Sequence, residues 1–597
     1  MAMTVADHVL ERLTQWDVHR IYGFPGDGIN GLLGAFERRT QDLQFVQVRH
    51  EEMAAFMACA HAKWTGDVGV CCATSGPGAI HLLNGLYDAK LDHQPVVAIV
   101  GQTYVRAMGG SFQQEVDLLN LYKDVAGAYV QQCDTPAAVR HMIDRAVRIA
   151  RAERTVTAVI IPADLQEMEA EPDPPHATHT VHSGIGWREP VVVPQEVDLR
   201  AAADILNQGE RVAMLVGAGA LHATDEVLSV ADTLGAGVAK ALLGKAAVPD
   251  DVPFCTGSIG LLGTKPSWEL MQGCDVLLLC GTGFPYSEFL PQEGQARAVQ
   301  IDLKGRQQSI RYPDDVILTG DARETLRALQ PLLRRHEDRN WQQRVTESVA
   351  DWWKLMDEQG QPQLSSRGTL RPQGLFHTLS PRLPENAIVS CDSGSAANWY
   401  ARHLRLRRGM KASLSGNLAT MLPGVPYAIA AKFAYPDRCA IACVGDGSMQ
   451  MLDMNELLTA AHHYGEWSDP RLIVLVLNNG DLNQVTWEQR VLAGDPKFEV
   501  SQTVPPFNYA DFARLAGLEG IRVEKPEEVE PAWERALSAQ RPVVIDAVTD
   551  PEEAPLPPHI TFEQAKHFGQ AILRDPAGLS PAVDALREKA REVLPKR

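Results

Sequence analysis

The chain has 597 residues, 45% of them hydrophobic and 22% charged, with a formal net charge of −19. That length is too great for one hydrophobic core, and the composition is that of a soluble globular protein of about three or four domains. The acidic balance excludes a nucleic-acid groove, which needs clustered Lys and Arg, and no apolar run reaches the roughly 20 residues that cross a bilayer.

The opening MAMTVADHVLERLTQ reads as an amphipathic helix and not as a secretory signal. The ten cysteines sit mostly in apolar runs without zinc-ligand spacing, which predicts small buried thiols in a reducing, cytoplasmic compartment. Across 1–165, short apolar runs at 21–24, 45–48, 68–70, 96–100 and 156–161 alternate with helical patterns. Such alternation predicts βαβ units on a parallel sheet. Within this block, RHEEMAAF puts Glu51 and Glu52 just past a strand and at the start of an apolar helix. Taken alone, both are ordinary acids favoured by a helix N-terminus. SGPG at 75–78 reads as a turn, and 101–117 as a loop without an adjacent histidine pair.

A stretch rich in Pro, His and acidic residues makes 166–195 a linker. The second block, 196–335, repeats the strand and helix style. Its Gly217-Ala218-Gly219 follows a strand and taken alone is a plain tight turn. A charged helical segment, 336–369, leads to a third block, 370–550, with strands expected at 387–390, 439–444, 472–477 and 543–547. Two of these end in polar turns, Gly445-Asp446-Gly447 and Asn478-Asn479, joined by a helix whose Asp453 and Glu456 have capping-box spacing. Either these are a glycine-rich turn and an Asn-Gly turn without a ligand, or they place an Asp carboxylate and an Asn amide oxygen together at the carboxyl ends of parallel strands. Mg²⁺ favours such hard oxygen ligands, and diphosphates bind there. The tail, 551–597, ends in a helix with an apolar stripe from Val583 to Leu594. The fold class expected is α/β, with three doubly wound parallel-sheet domains and a C-terminal helical tail.

The GDG turn, helix, strand and NN pair resemble the thiamine-diphosphate motif of the pyruvate oxidase and acetolactate synthase family, and the likeness covers nearly the whole chain. It implies a pyrimidine-binding domain at 1–165, a central Rossmann-like domain at 196–335 and a diphosphate- and Mg²⁺-binding domain at 370–550. Asp446, Asn479 and the main-chain oxygen of Asp481 would hold the metal, with Gly445, Gly447, Ser448, Ser393, Gly394 and Ser395 around the diphosphate. The motif picks Glu51 over Glu52 as the carboxyl that hydrogen-bonds the aminopyrimidine and activates thiamine. Gly26, Ser75, Gly76, Pro77 and Gly78 would approach the cofactor, and Met421 would wedge under its central bend, where the plainer reading is a core methionine.

The same resemblance implies FAD on the central domain, through Gly217, Gly219, Lys245, Gly263, Thr282, Phe284, Asp302 and Asp321; relatives without flavin keep this fold. Phe112 or Gln113 would take the family's aromatic place near the substrate and Gln114 its polar contact. Glu488 stands where oxidases have Glu and acetolactate synthases have Trp, whereas Gln484 stands where relatives have Phe or Met. The implied reaction is decarboxylation of pyruvate or a similar 2-oxo acid with electrons passing to FAD. The alternatives are acetolactate synthase-like carboligation and a non-catalytic cofactor-binding or regulatory subunit. The family also implies a homodimer or homotetramer with sites at subunit interfaces, and peripheral membrane contact by the tail.

Overall fold

The computed structural model describes residues 2–39, 41–554 and 567–571, so the stripe expected from Val583 to Leu594 lies outside the described residues. Three six-stranded parallel sheets with flanking helices make an α/β fold, as the alternating apolar runs predict. The first contains β1 (Arg20–Gly23), β2 (Gln44–Gln47), β3 (Gly69–Ala73), β4 (Val96–Gln102), β5 (Val130–Gln132) and β6 (Val156–Pro162), in the order β2-β1-β3-β4-β6-β5. The second contains β7 (Val212–Val216), β8 (Gly237–Lys240), β9 (Cys255–Ser258), β10 (Val276–Cys280), β11 (Arg297–Asp302) and β12 (Val316–Thr319), in the order β12-β11-β10-β7-β8-β9. The third contains β13 (Ile388–Cys391), β14 (Lys411–Ser413), β15 (Ala440–Gly445), β16 (Leu472–Asn478), β17 (Glu519–Val523) and β18 (Val543–Val548), in the order β14-β13-β15-β16-β18-β17.

The second sheet shows why its strands are continuous apolar runs. Val212, Met214 and Val216 of β7 enter one buried cluster, and Ala213 and Leu215 enter another. β10 divides in the same way, with Val276, Leu278 and Cys280 on one side and Leu277 and Leu279 on the other. With helices on both faces, every position of β7 and β10 is buried and the period-2 alternation of a half-exposed sheet is lost there.

The strand orders also locate crevices. In each sheet the chain steps to one side first and then returns to the other: between β1 and β3, between β7 and β10, and between β13 and β15. Loops leaving such neighbouring strands diverge at their carboxyl ends and open a ligand site.

By packing, the described residues form two compact units: Met1–Glu189 with Leu414–Ala442 and Ser448–Leu472, and Pro190–Ser413 with Cys443–Gly447 and Ile473–Arg597. No helix or strand forms between Gln166 and Glu196. All ten cysteines are free and buried. Among the described residues no helix is long and apolar enough to cross a membrane.

Candidate functional site

In the second unit, β15 runs into Asp446, which is 2% exposed. Its Oδ1 accepts from Gly447 N at 2.9 Å and its Oδ2 from Gly480 N at 2.6 Å. The turn after β15 therefore touches the turn after β16. Burial pushes the Asp446 carboxyl up to about 7, against the pull of the N–H groups of Gly480, Gly447 and Asn479. The Asp481 carboxylate, of the same sign, also pushes it up.

Asn479 Oδ1 accepts from Asp481 N at 3.0 Å. The Asp481 side chain is turned to Thr486, whose Oγ1 donates at 3.0 Å, and to Lys497 Nζ at 3.1 Å. The Asp481 side chain is thus engaged within the protein. A buried carboxylate held by backbone N–H groups at the turn that carries the Asn479 amide oxygen fits a hard divalent cation.

The neighbouring strand β13 ends at Cys391, and Asp392 N donates to Cys443 O at 2.9 Å. Ser393 and Gly394 follow, and Gly394 at φ +97° caps the helix Ser395–His403. Asn398 on that helix donates to Gln484 Oε1 at 2.9 Å, and Gln484 Nε2 donates to Glu488 Oε1, also at 2.9 Å. Gln484 thus lies between the helix that leaves the Ser393–Ser395 turn and Glu488. Phe568 packs on Trp487 of the same helical turn, with ring centroids 5.7 Å apart.

In the first unit the helix Glu51–Thr65 starts at Glu51, which is 8% exposed. His81 Nδ1 lies 2.9 Å from Glu51 Oε2, and the His50 and His81 rings stack at 4.4 Å. Glu52 points elsewhere, accepting from Asn84 Nδ2 at 2.6 Å. A Cβ at Gly78 would lie 3.0 Å from Glu51 Oε1 and 2.7 Å from Thr74 Cγ2, so only glycine lets the SGPG turn approach this carboxylate. Gly76 has φ +61°, and a Cβ there would lie 2.8 Å from Gln114 Cβ. Ser75 Oγ donates to Gln114 Oε1 at 2.8 Å, while Gly28 N, two residues past Gly26, donates to Thr74 Oγ1 at 2.9 Å. Gly26, Ser75 to Gly78, Gln114, Glu51 and His81 are thus gathered at the β1/β3 crevice, whereas Phe112 is 52% exposed.

Met421, also in the first unit, is half-buried rather than a core residue. It lies between two non-glycine residues of positive φ, Ala419 at +52° and Leu422 at +89°.

Two contacts beside Glu51 escaped the sequence reading. His81 lies one helical turn after Gly78, a spacing that offered a signal. Glu456 offered none, and it corrects an expectation. The capping box it was to form with Asp453 is absent, because Asp453 belongs to a π-helical turn (Met449–Asp453) and its side chain does not cap the helix Met454–His463. Glu456 is buried, and its Oε1 accepts from Arg49 N at 2.7 Å, two residues before Glu51. Burial pushes its carboxyl from 4.5 up to about 7. The folded state then binds the proton more tightly than the unfolded chain does, so stability falls as pH rises from about 4.5 to about 7. Glu456→Gln keeps an acceptor for Arg49 N. It is expected to raise Tm at a pH near 8 and to leave it unchanged at a pH near 4. An equal shift at both pH values would contradict this.

In the central sheet, Gly217 N donates to Cys280 O at 3.0 Å and Gly219 N to Gly281 O at 3.0 Å. The loops after β7 and β10 therefore interlock where the strand order reverses. Asp302 ends β11, and its Oδ1 accepts from Lys304 N at 2.9 Å. Gly263 N donates to Gly260 O at 2.9 Å, and Thr282 is buried. The remaining expected flavin contacts have structural duties of their own. Asp321 caps the helix Ala322–Leu329, and Phe284 packs in an apolar cluster. Lys245 is buried and donates to Ala401 O at 3.2 Å; burial pushes its ammonium down to about 8.

Comparison with known proteins gives three matches to family models of thiamine pyrophosphate enzymes: the N-terminal TPP binding domain over residues 3–121, the central domain over 199–329 and the C-terminal TPP binding domain over 392–547. YdaP of Bacillus subtilis, whose name carries thiamine pyrophosphate, is 35% identical over 572 residues, covering 96% of each chain. A pyruvate oxidase of Lactiplantibacillus plantarum is 31% identical, covering 92% of this chain and 89% of its own. An acetolactate synthase of Mycobacterium leprae is 28% identical, covering 92% and 87%.

Proposed function

Because the chain belongs to the thiamine pyrophosphate enzyme family, in its pyruvate oxidase and acetolactate synthase branch, we propose that it decarboxylates pyruvate or a close 2-oxo acid and passes the electrons to FAD. The observation that carries the oxidase reading is Glu488, hydrogen-bonded to Gln484, which is tied in turn to Asn398. A Trp there would be the synthase pattern. The interlocked loops of the central sheet, with Asp302 at the end of β11, support a dinucleotide at the switch point.

In this reading Asp446, Asn479 and the main-chain oxygen of Asp481 hold Mg²⁺, while Ser393 to Ser395 and Gly445 to Ser448 present backbone N–H groups to a diphosphate. Glu51 hydrogen-bonds the aminopyrimidine nitrogen, and His81 orients that carboxylate. Gln114 and Gln484 contact the substrate, and Met421 holds the cofactor bent. Thiamine diphosphate, when bound, supplies the cationic ring that takes the electron pair left by CO₂ loss. The three domains are 1–165, 196–335 and 370–550. The protein is a cytoplasmic homodimer or homotetramer with sites shared between subunits, and its tail makes peripheral membrane contact.

Anaerobic mixing of the protein, loaded with thiamine diphosphate, Mg²⁺ and FAD, with pyruvate tests the reading. Flavin bleaching with acetate or acetyl phosphate as product is expected. Acetolactate without bleaching would assign the chain to carboligation, and neither product would remove pyruvate as substrate.

A further inference from the structure

The strained turn that carries Met421 does not hold itself. Ala419 and Leu422, at φ +52° and +89°, sit in a region that costs a non-glycine residue about 1–3 kcal/mol unless its surroundings enforce it. The chain leading into this turn is fastened by a buried ion pair. Asp92 follows the helix Leu83–Leu91, and Lys63 lies in the last turn of the helix that begins with Glu51. Lys63 Nζ donates to Asp92 Oδ2 at 2.7 Å and to Leu414 O at 2.6 Å. Asp92 Oδ2 also accepts from Gly416 N at 2.8 Å, and its Oδ1 accepts from Asn417 N at 2.8 Å and Asn417 Nδ2 at 3.0 Å. Further along, Thr420 N donates to Ser415 Oγ at 3.2 Å, and Asn84 Nδ2 donates to Thr420 Oγ1 at 3.1 Å. Every oxygen of Asp92 is therefore engaged, and three of its bonds go to the two residues Gly416 and Asn417.

The pair is deep, its side chains 4% and 0% exposed. Burial alone would push the Lys63 ammonium down, but the nearby carboxylates of Asp88 and Asp92 outweigh it, so the cation persists. A buried ion pair gains little net stability over apolar side chains of the same size, because desolvation offsets the attraction. What this pair has that an apolar pair lacks is fixed direction at the backbone of 414–417.

We propose that Lys63 and Asp92 are positioning residues for the cofactor-binding turn: they hold 414–417 so that the strained segment 418–422 presents Met421 under the bend of thiamine diphosphate. This inference rests on the role given to Met421 under the proposed function. The same helix then begins with the activating carboxylate Glu51 and ends at the anchor of the wedge.

The test uses the full-length protein loaded with thiamine diphosphate, Mg²⁺ and FAD and supplied with an electron acceptor, unsubstituted and as Asp92→Asn, Lys63→Met and the double variant. Each is followed by the near-ultraviolet circular dichroism of the bound cofactor, by kcat and KM for pyruvate, and by thermal unfolding. A misplacement near 1 Å costs about 100-fold in rate, so kcat is expected to fall by about 10–100-fold with KM little changed. The dichroism band of the cofactor should weaken as well. Because the effect runs through Met421, Asp92→Asn should cost far less in a Met421→Ala background than in the unsubstituted protein. The double variant, which removes both partners of the ion pair together, keeps the test available if a single variant fails to fold. Folded variants with the unsubstituted dichroism and kcat would overturn the proposal, as would a loss fully additive with that of Met421→Ala. An unsubstituted protein that bound no thiamine diphosphate would overturn the functional reading along with it, which separates the two failures.

Discussion

Replacing Glu51 with Gln is expected to cut turnover of pyruvate by about 10²–10⁴-fold, the span of general acid–base contributions, while thiamine diphosphate still binds. The glutamine has nearly the same shape and can still start the helix Glu51–Thr65 and hydrogen-bond His81, whose Nδ1 lies 2.9 Å from the carboxylate. It cannot exchange a proton with the aminopyrimidine. The residues proposed to grip the diphosphate, around Asp446 and Asn479, belong to a different part of the sequence and are untouched. Two measurements separate these effects: a titration with thiamine diphosphate and the rate at which the cofactor C2 proton exchanges with solvent deuterium. Exchange should slow in parallel with turnover. Turnover equal to that of the unsubstituted protein would refute the assignment, and loss of binding would make Glu51 a structural contact instead. Glu52→Gln is the control, since Glu52 accepts from Asn84, and it should leave the C2 exchange rate close to that of the unsubstituted protein.

Asp446→Ala is expected to abolish Mg²⁺-dependent binding of thiamine diphosphate, weakening it by well over the roughly 10–100-fold that follows loss of an outer-shell partner. Its two oxygens span the turns after β15 and β16 through Gly447 N and Gly480 N. The alanine therefore removes the proposed ligand and the link between the two turns. The raised affinity of this carboxyl for its proton gives a second observable. Without a cation it holds its proton up to about pH 7, and a metal must displace that proton to bind. Apparent Mg²⁺ affinity should therefore weaken as pH falls through about 7 and level off above it. Calorimetric titrations at several pH values check the sign, and an affinity that rises on acidification would exclude Asp446 as a ligand.

Much of the architecture was legible in the residues because parallel strands buried on both faces leave long apolar runs. The runs at Val212, Val276 and Leu472 all became central strands. The polar turns were legible for a related reason. GDG and NN each interrupt an apolar run where the strand stops, and in a parallel sheet that end is where ligands gather. The helix after GDG was misread at its start. Asp453 and Glu456 have the spacing of a cap, but the π-helical turn through Asp453 carries both acids into the interior.

The sequence by itself determined the element types, the three sheets and the turns at their carboxyl ends with Asp446 and Asn479 as candidates, and its family resemblance picked Glu51. Only the tertiary structure decided that Glu51 meets His81, that Glu456 holds Arg49 N, and that Asp92 ties down Gly416 and Asn417. The physical reason is range. Periodicity and capping are interactions between residues a few positions apart, and they leave their mark on composition. A hydrogen bond between residues 324 or 407 positions apart depends on where two packed elements bring their backbones, and no local pattern encodes that.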